Sequence, residues 1–202
     1  MKLYYSPGAC SLSPHIVLRE AGFNFDMEQV DTKTKKTKAG ADYYAVNPKG
    51  QVPALALDNG QILTEGPAIV QYLADQKPAS GLAPAAGTFE RYRVQEWLNF
   101  VTSELHKGFT PLFRPNTPDD YKPIARDNLA VKFGVLDKHL AKNQYLMGDK
   151  FSVADAYAFT VLNWSNFQNI DMGQWPNVKA YMGRVAARPK VQEALKAEGL
   201  VK

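Results

Sequence analysis

Cys10 is the residue best placed to do chemistry, and it is the only cysteine in the chain. It stands just before or at the first turn of a helix, in Cys10-Ser11-Leu12-Ser13. A helix N-terminus offers unpaired N–H groups and a partial positive charge, and both favour a thiolate. The expectation is a thiol lowered by about one to two units from about 8.5, worth ~1.4–2.7 kcal/mol. The spacing is Cys-x-x-Ser, so there is no resolving cysteine. Any redox cycle would pass through a mixed disulfide with an external thiol. The plainer reading of a lone cysteine is a small buried hydrophobe.

Two further places could hold a ligand. Val52-Pro53 follows Gln51 and opens a strand, a position proline often takes for structural reasons alone. The sharper reading is a cis bond, which costs only about 0.5–1 kcal/mol before proline. It would present the Val52 backbone N–H and C=O to an extended peptide. Thr64-Glu65-Gly66-Pro67 ends a strand and opens a helix, where backbone N–H groups suit a carboxylate and Glu65 could pair with an ammonium group. A thiol partner, a peptide-backbone partner and an amino-acid head-group partner match the three groups that glutathione carries. Lys35 lies in a Lys/Thr run, normally solvated surface, from which one side chain could reach a ligand carboxylate. His106 and Lys107 close a helical stripe, and Asn99, Ser103 and Glu104 are ordinary helix residues on their own.

The elements that must position these residues fall into two textures. Leu3-Tyr4-Tyr5 reads as a strand, Ser11 to Ala21 as a helix stopped by Gly22, and Phe23, Phe25 and Met27 as an alternating strand. Thr32 to Lys38 reads as loop or exposed helix. Ala54 to Leu57 and Ile62-Leu63 flank Asp58-Asn59-Gly60, which predicts a hairpin with a two-residue Asn-Gly turn. A helix beginning at Pro67 follows, with Ile69, Tyr72, Leu73 and Gln76 on one face. Strand–helix–strand implies a parallel pair, and the hairpin adds antiparallel strands, a thioredoxin-like α/β plan over residues 1–80. Breakers at Pro78, Gly81, Pro84 and Gly87 place a linker at 81–88. From 89 to 202 the pattern is all-helical. Val94, Trp97, Leu98, Val101 and Leu105 form one stripe, and Leu129, Phe133, Leu136 and Leu140 another. Further helices are expected at 153–168, 176–187 and 189–197. Phe151-Ser152-Val153-Ala154-Asp155 reads as a capping box that fixes a core helix, without chemistry.

Bulk composition narrows the class. The 202 residues carry a net charge of +4, too mild to argue for nucleic acid but suited to small anions. There is no apolar run of membrane-span length and no signal-peptide core at the start, which reads as cytoplasmic. His15, His106 and His139 lack metal-ligand spacing, so no metal is expected. A Gly-x-Ser-x-Gly elbow and a phosphate-cradling glycine loop are both missing.

Taken together, the stretches Gly8-Ala9-Cys10-Ser11-Leu12, Val46 to Leu55 and Leu63-Thr64-Glu65-Gly66 resemble a bacterial beta-class glutathione transferase. So do Glu104-Leu105-His106-Lys107-Gly108-Phe109 and Phe151 to Asp155, and the resemblance runs essentially end to end. It implies glutathione as co-substrate, with Cys10 beside its sulfur, Gln51 and Val52 before a cis-Pro53 along its backbone, and Glu65 and Gly66 at its γ-glutamyl end. Lys35 would approach the glycine carboxylate. Asn99, Ser103, Glu104, Leu105 and His106 would complete the site from the helical domain, partly across a homodimer interface. Cys10, His106 and Lys107 would act at the sulfur. Tyr5 resembles the activating tyrosine of other classes, but is not expected to dominate here. Gly66 stands where many members carry serine, so head-group binding would rest on backbone N–H groups. The implied reaction is transfer of glutathione to an electrophilic small molecule, in detoxification or aromatic catabolism. The apolar electrophile would lie between the domains against Phe109, Phe113, Trp164 and Phe167. The rivals are a disulfide reductase, peroxidase or reductive dehalogenase working through a Cys10 mixed disulfide, and a non-catalytic carrier.

Overall fold

The computed structural model describes residues 1–202. Its first half is built from β1 (Lys2–Tyr5), α1 (Leu12–Glu20), β2 (Asp26–Asp31), β3 (Lys36–Thr37), β4 (Ala54–Ala56), β5 (Ile62–Thr64) and α2 (Gly66–Gln76). The strands form one sheet in the order β3-β2-β1-β4-β5. β1 and β2 run parallel, Leu3 opposite Met27, because α1 crosses over between them. β4 joins the other edge of β1 antiparallel, Leu3 opposite Leu55, and hairpins to β5. The thioredoxin-like plan is therefore present.

Three local expectations are corrected. β2 begins at Asp26, because Phe23 and Phe25 are drawn sideways: Phe25 packs edge-on against His15 at 5.8 Å, and Lys77 Nζ lies 4.3 Å over the Phe23 ring. The Lys/Thr run is neither loop nor helix throughout. The Asp31 carboxylate accepts the N–H groups of Lys33 and Thr34 at 2.8 and 3.2 Å, turning the chain back so that Lys36–Thr37 pair with Val30–Asp31. In the hairpin only Gly60 has positive φ, +84°, and Gly60 N–H bonds Leu57 O. The loop is thus a three-residue turn ending on a left-handed glycine, not the two-residue turn expected from Asn-Gly.

The helical half comprises α3 (Phe89–Phe100), α4 (Lys107–Phe113), α5 (Tyr121–Leu140), α6 (Val153–Leu162), α7 (Trp164–Phe167), α8 (Pro176–Ala186) and α9 (Pro189–Ala197). Thr88 caps α3 by accepting the Arg91 N–H. Leu129, Phe133, Leu136 and Leu140 are all buried, as their spacing requires. The helix expected over 153–168 is broken at Asn163 into α6 and α7. Asp155 caps α6 by accepting from the Ser152 N–H and hydroxyl, both at 2.8 Å, and its other oxygen takes the Leu146 N–H. Burial raises the Asp155 carboxyl to about 6 despite these bonds. α3 passes into α4 through one wide turn, Val101–His106, in which Lys107 N–H reaches back to Thr102 O. Such π turns often mark functional sites. No helix is long and apolar enough to cross a membrane.

One hydrophobic cluster runs through both halves, from Leu3 and Ile16 to Phe133 and Tyr181, with α1 packed on α6 and α9. A polar chain crosses the same junction. Arg19 Nε donates to His15 Nε2 at 2.8 Å, so the ring proton sits on Nδ1 and is donated to Glu198 Oε1 at 2.8 Å. The other Glu198 oxygen accepts the Gly8 N–H at 2.9 Å, and Trp164 Nε1 donates to Gly8 O at 2.8 Å. Gly8, at φ +71°, is thereby fixed from both sides two residues before Cys10. An added Cβ there would sit 3.3 Å from the Phe167 ring.

Candidate functional site

Cys10, Val52-Pro53 and Glu65-Gly66, far apart in sequence, meet in one cleft of about 310 Å³. The β1–α1 turn supplies Cys10, the approach to β4 supplies Gln51 to Pro53, and the β5–α2 junction supplies Thr64 to Pro67. The helical half closes it with Thr102 and His106 from the π turn, Lys107 from the start of α4 and Tyr157 from α6. The Val52-Pro53 bond is cis. Three successive carbonyls before it are held from behind: Gly50 O by Lys35 Nζ at 2.7 Å, Gln51 O by Asn47 Nδ2 at 2.7 Å and Tyr43 Oη at 2.9 Å, and Val52 O by the Cys10 thiol at 3.2 Å. The Val52 N–H has no partner within the protein. So of the two Val52 groups expected to face a ligand, the N–H is free and the carbonyl is occupied by the thiol. Gly50 itself can only be glycine, since at φ +62° an added Cβ would fall 2.7 Å from the Tyr44 ring.

Glu65 holds a left-handed backbone at φ +70°, a conformation that costs a non-glycine residue roughly 1–3 kcal/mol. It is the residue before α2, and the Gly66 N–H is the first of the unpaired donors of that helix. Lys49 fixes the Glu65 side chain, donating to it at 2.6 Å and to Thr64 Oγ1 at 3.1 Å. Neither lysine nor threonine was singled out from sequence. The cue was available in Lys49-Gly50-Gln51, but nothing in spacing alone links position 49 to position 65.

Electrostatics correct the expectation for Cys10 and fix the state of His106. Burial pushes the Cys10 thiol up to about 12, outweighing the Cys10 and Ser11 N–H groups that act in the other direction. The helix terminus is present, but desolvation wins, and Cys10 stays a neutral thiol and a hydrogen-bond donor. His106 is not a cation: burial first, then the Lys107 charge, lowers it to about 4. Its Nδ1 lies 2.6 Å from Tyr157 Oη, and Trp164 stacks edge-on at 4.8 Å. Lys107 is left as the cation on that wall.

Several expected site residues lie elsewhere. Tyr5 does not line the cleft; it packs toward His15, and burial raises its phenol. Leu105 is fully buried in the core. Asn99 and Ser103 point to solvent, and Ser103 Oγ bonds Asn99 O. Glu104 pairs with Lys132 at 2.7 Å. None of these five borders the cleft within one chain.

Beyond Cys10 the cleft continues into a second lobe of about 510 Å³ that shares Cys10, Gln51, Val52 and His106 with the first. Phe113, Trp164 and Phe167 wall it, and Thr32, Lys35, Thr110 and Arg114 stand along its sides. Phe113 and Trp164 meet edge-on at 5.5 Å. Phe109, expected in this wall, is fully buried behind it against Phe133.

Comparison with known proteins agrees with this arrangement. Residues 8–76 match the glutathione S-transferase N-terminal domain, and residues 100–189 match the C-terminal domain. The chain is 51% identical to glutathione S-transferase GstA of Escherichia coli O157:H7, covering 99% of this chain and all of the other. A sphingomonad glutathione S-transferase solved with glutathione superposes with a TM-score of 0.96 at 52% identity, both chains fully covered. A bacterial beta-class enzyme from Sphingomonas chungbukensis gives 0.97 at 53% identity, again over both whole chains. With both of its domains matched and these relatives covered end to end, the chain belongs to the glutathione S-transferases, in their bacterial beta class.

Proposed function

We propose that the protein transfers glutathione to electrophilic small molecules, with the tripeptide in the polar lobe and the electrophile in the aromatic lobe. The observation that carries this reading is the junction of the two lobes at Cys10, where a peptide thiol laid along Val52 would meet a molecule held by Phe113, Trp164 and Phe167. The Val52 N–H would pair with the tripeptide backbone, and the Gly66 N–H and Glu65 would take the γ-glutamyl carboxylate and ammonium. Lys35, beside Gln51, would take the glycine carboxylate. The glutathione solved in the sphingomonad relative supports a peptide in this cleft.

Because Cys10 is held neutral, glutathione's own sulfur is the nucleophile. The N–H groups at the start of α1 stabilise its thiolate, with Lys107 as the nearby positive charge, and the Cys10 S–H joins them when the tripeptide takes over Val52 O and the thiol turns to the sulfur. Neutral His106 contributes a ring nitrogen to the sulfur's surroundings, set by Tyr157. The reading that routes turnover through a Cys10 mixed disulfide is disfavoured by a thiol that resists ionisation, and the relatives carry transferase names. A homodimer in the cytoplasm completes the proposal. Tyr92, Asn99 and Ser103 share one exposed face, from which Asn99 and Ser103 would serve a partner's cleft.

The test is the initial rate of conjugation to 1-chloro-2,4-dinitrobenzene for wild type and Cys10→Ala. Loss of one donor predicts a rate about fivefold lower, with conjugation retained. A folded but inactive Cys10→Ala would make the thiol essential, and an inactive wild type would sink the transferase reading.

A further inference from the structure

We propose that the aromatic lobe selects electrophiles that carry an acidic group on an aromatic ring, and that Arg114 is the residue that binds that group. The inference rests on the transferase reading and names the substrate class of the same cleft.

Arg114 follows Phe113 at the end of α4, where the backbone turns extended (φ −81°, ψ 126°) and Pro115 prevents the helix from continuing. That turn leaves Arg114 on the exposed rim of the aromatic lobe. Of the seven arginines in the chain, Arg114 alone makes no side-chain hydrogen bond or ion pair. The other six each donate to a carboxylate, an imidazole or a backbone carbonyl. A cation left free at the edge of an apolar cleft, while every similar group is engaged, is free to bind a ligand there.

The charge around it points the same way. No aspartate or glutamate lines the second lobe. Its other cation, Lys35, is committed to Gly50 O beside Gln51 and Val52, at the end of the lobe where the glutathione glycine would lie. That leaves Arg114 for the second substrate. A planar guanidinium matches a carboxylate, sulfonate or phenolate with two parallel N–H bonds, and Phe113, Trp164 and Phe167 match a ring. One substrate class satisfies both halves of the lobe: a flat aromatic acid or its electrophilic derivative. The hydroxyl of Thr32 stands ready for a further polar substituent, such as a nitro group.

The experiment compares two chloronitroarenes that react by the same step. In that step the glutathione thiolate attacks the ring carbon bearing chlorine, the C–S bond forms, the C–Cl bond breaks and chloride leaves. The thiol proton passes to solvent. One substrate is neutral 1-chloro-2,4-dinitrobenzene and the other is the anion 4-chloro-3,5-dinitrobenzoate. Values of kcat/KM are measured at saturating glutathione for wild type, Arg114→Leu and Arg114→Lys, and each substrate is compared with itself across variants. The expected result is that the anionic-over-neutral ratio falls about tenfold in Arg114→Leu and only partly in Arg114→Lys, with the loss carried by KM. Added salt lowers the wild-type ratio and leaves that of Arg114→Leu flat. A ratio equal in all three proteins overturns the assignment. So does a rise in the KM for glutathione in Arg114→Leu with the ratio intact, since Arg114 would then be holding the glycine carboxylate. If wild type conjugates neither arene, the transferase reading itself fails. If it conjugates both and the ratio ignores Arg114, only this inference fails.

Discussion

The two lobes of the cleft are made in opposite ways. The polar lobe is backbone held rigid: a left-handed Glu65 and three carbonyls tied down by Lys35, Asn47, Tyr43 and Cys10. The aromatic lobe is side chain: Phe113 and Phe167 are about half exposed, and Arg114 has no partner. Backbone groups can be placed accurately only where the fold over-determines them, which suits a ligand that never changes. Exposed side chains can repack around ligands of different outline. The comparison teaches that strain and hydrogen bonds are concentrated where recognition is constant, and loose aromatic surface where it varies.

The strongest way to stress this comparison is through pH at His106, which borders both lobes. Its folded value of about 4 lies below the unfolded value of about 6.5. The unfolded chain therefore takes up the proton first as pH falls. The stability this group contributes is fully present above pH 6.5 and is lost progressively down to pH 4. The loss is roughly 3 kcal/mol, read from urea unfolding at a series of pH values. His106→Asn should flatten that slope, and an unchanged slope would show that the ring is not held neutral. Next in size, Glu65→Gln should weaken glutathione binding by about 10–100-fold by calorimetry, with little change in the KM for an electrophile. Smallest, Phe113→Ala should raise the KM for an aromatic electrophile about fivefold and leave glutathione affinity alone. If Glu65→Gln and Phe113→Ala each moved both constants equally, the lobes would be one site and the contrast would fail.

Much of the rigid lobe was legible in the sequence, because its parts are written as local signals. Cys10 before a helix, proline opening β4 and Glu65-Gly66-Pro67 opening α2 each carry their own backbone cue. The aromatic wall was legible in part. Phe113, Trp164 and Phe167 line it, but Phe109 turned inward, since position along a helix does not say which face a neighbouring helix covers. Lys49, Thr102 and Tyr157 were not legible, as their place depends on tertiary approach between segments far apart in the chain. The proton state of Cys10 runs against the sequence reading for one reason. Sequence shows the nearby helix end and charge, while the opposing desolvation depends on how much packing closes over the group.

The Gly8–Glu198 hydrogen bond joins residues 190 positions apart. The loop bearing Cys10 is therefore synthesised well before the carboxylate that fixes it. At roughly 5–20 residues per second, some 10–40 seconds of synthesis separate the two. During that interval the nascent chain can form its sheet but cannot set the position of Cys10. A chain made only that far therefore carries a Gly8 turn not yet held by Trp164 and Glu198, and the cleft becomes competent only as α9 docks.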